Sequence, residues 1–392
     1  MRTPTPERFF REVPTLNQIH GGDIYGIARR HNLEPGAILD FSASINPLGL
    51  SPKAKKKLGK EGISAVLHYP DPECFELRRA VARFHGITED LILPGAGSTE
   101  FIYSVPRALK IRKALIVTPA FSEYEAGLES SGEPCEIHFL ETTERDGFEL
   151  NVEGLILALT QGYDALYLCN PNSPTGILTE RKDLLRILAR TEREKTWFIL
   201  DEAFIDFLPE ESLADVASAS SRLLILRTLA NCFALPGLRA GYLVSNPETV
   251  QQLSRIQPPW PVNAMAQVAA AESLRDEAFI SRSQETVRLQ REFLTQGLRA
   301  IPGFIPYPSA ANFLFVQLHP SLKLTAGELR ERLIPRGILI RDCSSFHHLG
   351  PYFFRIAVRP RKENQALLRA LRRVHSEIIH EGPSPNYSER LK

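Results

Sequence analysis

Four short stretches of this 392-residue sequence combine residue types able to hold a charged ligand. Gly95-Ala96-Gly97-Ser98-Thr99-Glu100 follows the apolar run LILP and opens a helix. Small residues at such a junction let backbone N–H groups reach an anion, and the helix dipole favours a phosphate there. Asn170-Pro171-Asn172-Ser173-Pro174-Thr175-Gly176 follows ALYLC and reads as a rigid loop that holds polar groups over a ligand. Asp201-Glu202-Ala203-Phe204 closes the run TWFIL, and a carboxylate at a buried strand end needs a cationic partner to stay charged. Thr228, Asn231 and Pro236-Gly237-Leu238-Arg239 follow RLLILR and add a hydroxyl, a carboxamide and a guanidinium.

All four stretches follow strand-like runs, and in an α/β sheet ligands sit beyond the carboxyl ends of the strands. The runs are ALIVTP (114–119), ALYLCN (165–170), TWFILDEAF (196–204), RLLILRT (222–228) and AGYLVSN (240–246), with helical patterns such as ERKDLLRILARTERE (180–194) between several of them. Buried strands spaced by helices predict an α/β fold with a mainly parallel sheet covered on both faces. Residues 262–300 carry a long helical pattern with few breakers. ANFLFVQL (311–318), a helix near 325–335, GILIRDC (337–343), FFRIAVR (353–359) and a helix over 362–378 then predict a smaller α+β unit. The expected organisation is an N-terminal arm over 1–48, a large domain over 49–260, a small domain over 261–379 and a polar, disordered tail over 380–392.

Lys plus Arg number 47 and Asp plus Glu 46, so no global field draws the chain to nucleic acid or anionic lipid. The opening residues have no apolar signal region, and no apolar run is long enough to span a bilayer. The five cysteines are scattered without a CxxC, which argues against a disulfide framework and a zinc site. The expectation is a cytoplasmic protein with no metal.

Taken in order, G-x-G-S-T-E, NPN-x-PTG, DEAF-IDF and R-T-L…PGLR-GY resemble the fold-type-I pyridoxal-phosphate (PLP) enzymes. They resemble in particular the histidinol-phosphate aminotransferases and the threonine-phosphate decarboxylases of cobalamin synthesis. His20-Gly21-Gly22-Asp23, DFSASINPLG (40–49), LIRDCSSF (339–346) and FRIAVR (354–359) favour the decarboxylase. The resemblance covers about residues 18–378 and implies a fold of that type with a seven-stranded-type sheet. It also implies PLP as cofactor, a phosphorylated amino acid as substrate, and a homodimer. The N–H groups of Ser98 and Thr99, Thr228 Oγ and Arg239 would hold the PLP phosphate, with Gly97, Asn172 and Phe204 also in the cofactor site. Phe121 would stack on the pyridine ring and Asp201 would pair with its nitrogen, keeping the ring an electron sink. Tyr69 would reach the cofactor phosphate of the other subunit. Arg355 would clamp the substrate carboxylate, while Arg341 and Arg359, assisted by His20, would take the substrate phosphate. Structural readings stand beside these: Arg341 and Arg359 as surface arginines, Phe121 as core, His20 as a hydrogen-bonding residue, Cys232 and Cys343 as inert small hydrophobes.

The chain departs from the family at one position above all. The relatives carry a lysine eight positions before the arginine of PGLR, and here that position is Asn231, between Ala230 and Cys232. A carboxamide cannot condense with an aldehyde, so PLP would be held non-covalently. Losing a positioned acid/base costs about 10²–10⁴ in rate, about 3–5 kcal/mol of barrier. Ser173 also stands where the family usually places an asparagine facing the phenolic oxygen. The function implied is decarboxylation of L-threonine O-3-phosphate to aminopropanol phosphate, altered or lost through Asn231. The alternatives are an aminotransferase on a phosphorylated amino acid, and a non-catalytic binder of PLP or a phosphorylated amine.

Overall fold

The computed structural model describes residues 20–381; the first 19 residues of the expected arm and residues 382–392 of the expected tail lie outside it. The chain first forms a helix, Ile24–His31, whose start is fixed by Asp23 Oδ1 accepting from Gly26 N at 2.9 Å. It then adds a short strand, β1 (Leu39–Asp40). Seven further strands build the main sheet: β2 (Ile92–Gly95), β3 (Lys113–Thr118), β4 (Glu136–Glu141), β5 (Ala165–Cys169), β6 (Trp197–Asp201), β7 (Leu223–Thr228) and β8 (Gly241–Val244). Their spatial order is β2-β8-β7-β6-β5-β3-β4, with only β8 running against its neighbours.

The expected mainly parallel sheet is therefore present, and its cause is visible in the strands. Strands β5 and β7 are buried at every position, and β3 and β6 at all but the first. Alternate residues feed two separate cores. Leu115, Val117, Leu166, Leu168, Phe198 and Leu200 pack on one face with Leu77, Val81, Leu184 and Ile187. Ile116, Tyr167, Ile199 and Leu226 pack on the other with Phe101, Val105 and Leu128. Because β3, β5, β6 and β7 are parallel, their carboxyl ends share one edge, and the register pairs Cys169 with Asp201 and Asp201 with Leu226.

A second sheet follows in the chain, with β9 (Phe304–Pro306), β10 (Phe313–Leu318), β11 (Ile338–Leu339), β12 (Arg341–Asp342) and β13 (Phe353–Ala357). Four of these form an antiparallel sheet in the order β12-β13-β10-β9, while β11 pairs in parallel with β1. The pairing of β1 with β11, and Phe41 buried among Leu314, Val316 and Ile356, tie the N-terminal segment to this sheet. The helical pattern of 262–300 is two helices, Ala264–Leu274 and Glu277–Arg299, parted at Asp276, whose carboxylate accepts from Ser51 Oγ at 2.6 Å. The last helix, Arg361–Glu381, enters the first two residues of the expected tail. Among the described residues no helix is long and apolar enough to cross a membrane.

At the carboxyl end of the main sheet, Arg227 is buried between two buried carboxylates. Its Nη1 donates to Glu202 Oε2 at 2.7 Å and its Nη2 to Asp206. Burial opposes the guanidinium charge, but the two carboxylates outweigh it and hold the arginine firmly protonated. Removing one partner of such a cluster leaves charges buried and unpaired. Arg227→Ala is expected to cost about 3–5 kcal/mol of folding stability, read as a lower urea midpoint.

Candidate functional site

A cavity of about 630 Å³ lies between the carboxyl edge of the main sheet and the second sheet. Its anion-binding wall starts at β2. After that strand Gly97 turns with φ 87°, and the helix Ser98–Leu109 begins. A side chain at Gly97 would meet Arg239 Nη2 at 2.8 Å, and one at Gly241 would meet the Ser98 N–H at 2.7 Å, so glycine at both positions keeps the helix start open. Ser98, Thr99, Thr228 and Arg239 line the cavity together. Arg239 is exposed to it and has no carboxylate partner among the described residues.

Asp201, at the end of β6, forms part of the floor. The sequence predicts a cationic partner, and the described residues supply none: Oδ2 accepts from Tyr124 OH at 2.5 Å and Oδ1 from Ala203 N at 3.0 Å. Arg227, the buried guanidinium on the neighbouring strand, is committed to Glu202 and Asp206. Burial therefore pushes the Asp201 carboxyl up to about 6, with the two hydrogen bonds opposing the shift. Phe121 flanks this floor, edge-on to Tyr124 with centroids 6.0 Å apart, and Phe204 closes it, edge-on to Phe313 at 5.0 Å.

Two arginines face the cavity from the second sheet. Arg341 in β12 and Arg355 in β13 are register partners, so their side chains share one face. Arg355 Nη1 donates to Ser173 Oγ at 2.8 Å, its Nη2 reaches Ser42 O at 3.4 Å, and its guanidinium lies 4.8 Å from the Phe313 ring centroid. Arg341 Nη2 donates to Ser345 Oγ at 3.3 Å and stacks over Phe346. Neither forms an ion pair within the described residues. Burial pushes Arg355 down to about 10 and lowers Arg341 as well, so each gains from an anion placed between them.

His20 also lines the cavity. Its Nε2 lies 2.9 Å from Glu123 Oε1, and Tyr103 OH donates to the other oxygen of that carboxylate at 2.5 Å. That hydrogen bond to Glu123 pushes the Tyr103 hydroxyl up to about 12. Asn231 lines the cavity with its Nδ2 donating to Ala203 O at 3.0 Å. No lysine is among the lining residues.

Twelve sequence-predicted residues thus line one cavity: His20, Ser98, Thr99, Phe121, Ser173, Asp201, Phe204, Thr228, Asn231, Arg239, Arg341 and Arg355. Four others do not line it. Gly97 sits just behind Arg239. Asn172 braces its own loop, accepting from Thr175 Oγ1 at 2.8 Å and donating to Pro119 O at 3.2 Å. Arg359 pairs with Glu363 at 2.8 Å, one turn on at the start of the last helix. Tyr69 is 79% exposed and stacks on Trp260 with centroids 4.5 Å apart. Sequence reasoning missed Tyr124, Glu123 and Tyr103, the residues that hold Asp201 and His20. The first two follow Phe121 in FSEY, where the short helix Glu123–Glu129 begins. Cys232 and Cys343 are buried, and burial raises both thiols, Cys343 to about 12.

The raised carboxyl of Asp201 sets a pH dependence for the ligand-free protein. Its proton is held more tightly folded than unfolded, so its stabilising contribution is complete below about pH 4 and is lost as pH rises through about 6. Asp201→Asn is expected to remove this decline, making the variant more stable than the parent at pH 7 by up to about 3 kcal/mol and not at pH 4. Urea titrations at the two pH values check it.

The model of "Aminotransferase class I and II" matches residues 37–374. The threonine-phosphate decarboxylase of Salmonella typhimurium is 38% identical over 365 residues, covering 93% of this chain and 98% of that protein. The crystal structure of L-threonine-O-3-phosphate decarboxylase from Porphyromonas gingivalis superposes with a TM-score of 0.75 at 28% identity, covering 86% of this chain and 99% of the other. Histidinol-phosphate aminotransferase from Sinorhizobium meliloti, solved in complex with pyridoxal-5'-phosphate, shares the fold with a TM-score of 0.80 at 22% identity, covering 95% of this chain and 100% of the other. With both the match along most of its length and these relatives in view, the chain belongs to the class I and II aminotransferase family.

Proposed function

We propose that this protein is a PLP-binding member of the threonine-phosphate decarboxylase group whose cofactor is held without a covalent bond, because Asn231 stands at the lysine position. The observation that carries the reading is the pairing of Arg341 with Arg355, two guanidiniums without carboxylate partners among the described residues, across one cavity from an open helix start at Ser98. That arrangement offers two separate anion subsites with a carboxyl group, Asp201, between them and the sheet.

The residues fit PLP by charge and by donor type. The N–H groups at the start of the Ser98–Leu109 helix, Thr228 Oγ1 and Arg239 hold its phosphate. Asp201, without a cationic partner among the described residues, keeps a protonated ring nitrogen in place. Phe121 offers the ring a face, and Gly97 leaves room for Arg239. When bound there, PLP supplies an electron sink for a breaking bond at the amino-acid Cα. Arg355 takes the substrate carboxylate by a fork whose direction is set by Ser173 and Phe313. Arg341, with His20 oriented by Glu123, takes the phosphate of a substrate such as L-threonine O-3-phosphate.

Asn231 removes the amine that would carry the cofactor and move protons at Cα. A non-catalytic binding role is the second reading, favoured by the lack of any lysine among the lining residues. A homodimer belongs to the proposal as well. Tyr69 is exposed and does not line the chain's own cavity, and Ile63, Val66 and Leu67 nearby in sequence are more than half exposed. They provide an apolar face for a second copy that would place Tyr69 at the partner's site.

Two outcomes test this. With PLP and threonine phosphate, the unaltered chain is expected to release little or no aminopropanol phosphate by mass spectrometry, and Asn231→Lys to raise it by about 10²-fold or more; silence from both rejects the substrate. Borohydride reduction should then attach the cofactor to residue 231 of the variant alone. Sedimentation is expected to give twice the 44.0 kDa chain mass, and Leu67→Asp to shift the protein toward monomer; a parent sedimenting at the single-chain mass rejects the dimer.

A further inference from the structure

We infer that His347 and His348 form a clasp holding the loop between β12 and β13 against the edge of the main sheet, and that this clasp positions Arg341 for the outer anion of the ligand. Both histidines are positioning residues that act through Arg341. The inference rests on the reading of Arg341 as the substrate-phosphate subsite and adds what sets that subsite in place.

The loop has buried ends and an unburied middle. Cys343 and Leu349 are buried, and none of the five residues between them is. Hydrogen bonds inside the loop are local: Ser344 N donates to Asp342 Oδ1 at 2.9 Å, Phe346 N to Cys343 O at 3.1 Å and Leu349 N to Phe346 O at 3.2 Å. Among the described residues, the polar contacts that leave it for the main sheet and its helices are those of the two histidines. His347 Nε2 lies 2.7 Å from Glu125 Oε2, and His348 Nε2 lies 3.2 Å from Glu141 Oε1 at the end of β4. An ionised carboxylate only accepts, so each ring nitrogen is the donor. Both rings also pack on Phe139 of β4, with centroids 4.5 and 6.3 Å away. Successive side chains of an extended segment point to opposite sides, but the left-handed φ of 63° at His348 turns the chain, and both rings meet the same residue.

The clasp adjoins the residues that support Arg341. Ser345 accepts from Arg341 Nη2 at 3.3 Å, and the Arg341 guanidinium stacks over Phe346. Both residues line the cavity and directly precede His347. Releasing the histidines therefore frees the two surfaces on which Arg341 rests. Glu125 lies in the helix Glu123–Glu129, whose first residue pairs with His20. One short helix thus receives both the N-terminal segment and the β12–β13 loop. The two histidine pairs are partly exposed, and pairs of this kind contribute little to folding. Their consequence is placement, so their loss loosens one wall of the cavity without unfolding the chain.

Calorimetric titration of the purified full chain with two non-reacting probes tests the inference. The probes are the reduced conjugates of pyridoxal phosphate with L-threonine O-3-phosphate and with L-threonine, which differ only in the outer phosphate. The unaltered chain is expected to prefer the phosphorylated conjugate by about tenfold to a hundredfold, the worth of a hydrogen bond between charged groups. His347→Ala combined with His348→Ala should cut that preference about tenfold, within what two surface ion pairs can supply, and leave affinity for the unphosphorylated conjugate within about twofold. The thermal midpoint should change little. Glu125→Ala with Glu141→Ala removes the same contacts from the other side. It is expected to act alike and to add nothing when combined with the histidine pair. This second pair keeps the test decisive where the first folds poorly. An undiminished preference in either double variant overturns the inference and leaves the reading of Arg341 standing. Equal affinities of the unaltered chain for the two conjugates, or no binding of either, overturn both.

Discussion

One buried guanidinium decides what the carboxyl end of the main sheet can do. Asp201, Glu202 and Asp206 lie within six positions of one another, and all three side chains are buried. Arg227, at the same edge on the neighbouring strand, satisfies two of them, Glu202 at 2.7 Å and Asp206. Asp201 is left with a phenol and a backbone N–H, which hold its geometry but do not offset the cost of burying its charge, so its carboxyl is pushed up to about 6. A cation delivered from the cavity completes the set. The same cluster that fastens the loop after β6 to β7 therefore leaves Asp201 available to a ligand.

The second sheet poses the complementary problem. Its register sets Arg341 beside Arg355, two like charges on adjacent strands, an arrangement that is unfavourable in the protein alone. Ser173, Ser345 and two aromatic faces accept or cover the guanidiniums without neutralising them. The N-terminal segment closes the space between the two sheets. β1 is bound to β11, Gly22 N donates to Ser42 Oγ at 2.8 Å, and His20 is thereby carried to Glu123. Acid on one wall and unpaired base on the other define a zwitterionic, multiply anionic ligand more sharply than the cavity's size does.

The fold was readable in the sequence because parallel strands buried on both faces are near-continuous apolar runs, and β3, β5, β6 and β7 are such runs. Asp201 and Thr228 were readable because they end two of those runs, where chain direction alone brings them to the ligand edge, and Arg239 because it belongs to the PGLR motif. Residues set by loop conformation were not. Asn172 looks like a ligand group in NPNSPTG, yet its oxygen is captured three residues later by Thr175, a contact that exists only once the loop has closed. The pairing of Arg359 with Glu363 could have been anticipated from the i, i+4 spacing at the start of a helix, since such neighbours meet on one face. The break at Asp276 left no glycine or proline to announce it. Its cause is a hydrogen bond from Ser51, 225 positions away, which no local pattern encodes.

Asn231 is the point at which local and global constraints part company. Its backbone is locked by Asn46, its amide nitrogen by Ala203, and its position in the cavity by the return of the chain from β7 to β8. None of those three restraints requires an amine there. A lysine at 231 would add a positive charge to a wall that already holds Arg239 and faces Arg341 and Arg355, and that charge is tolerable only while the amine is consumed in a covalent bond or offset by a bound anion. Asparagine removes the requirement and leaves the phosphate and carboxylate subsites untouched. On the proposed reading, holding the ligand depends on the arginines, Asp201 and the helix start, and reacting with it on the side chain at position 231.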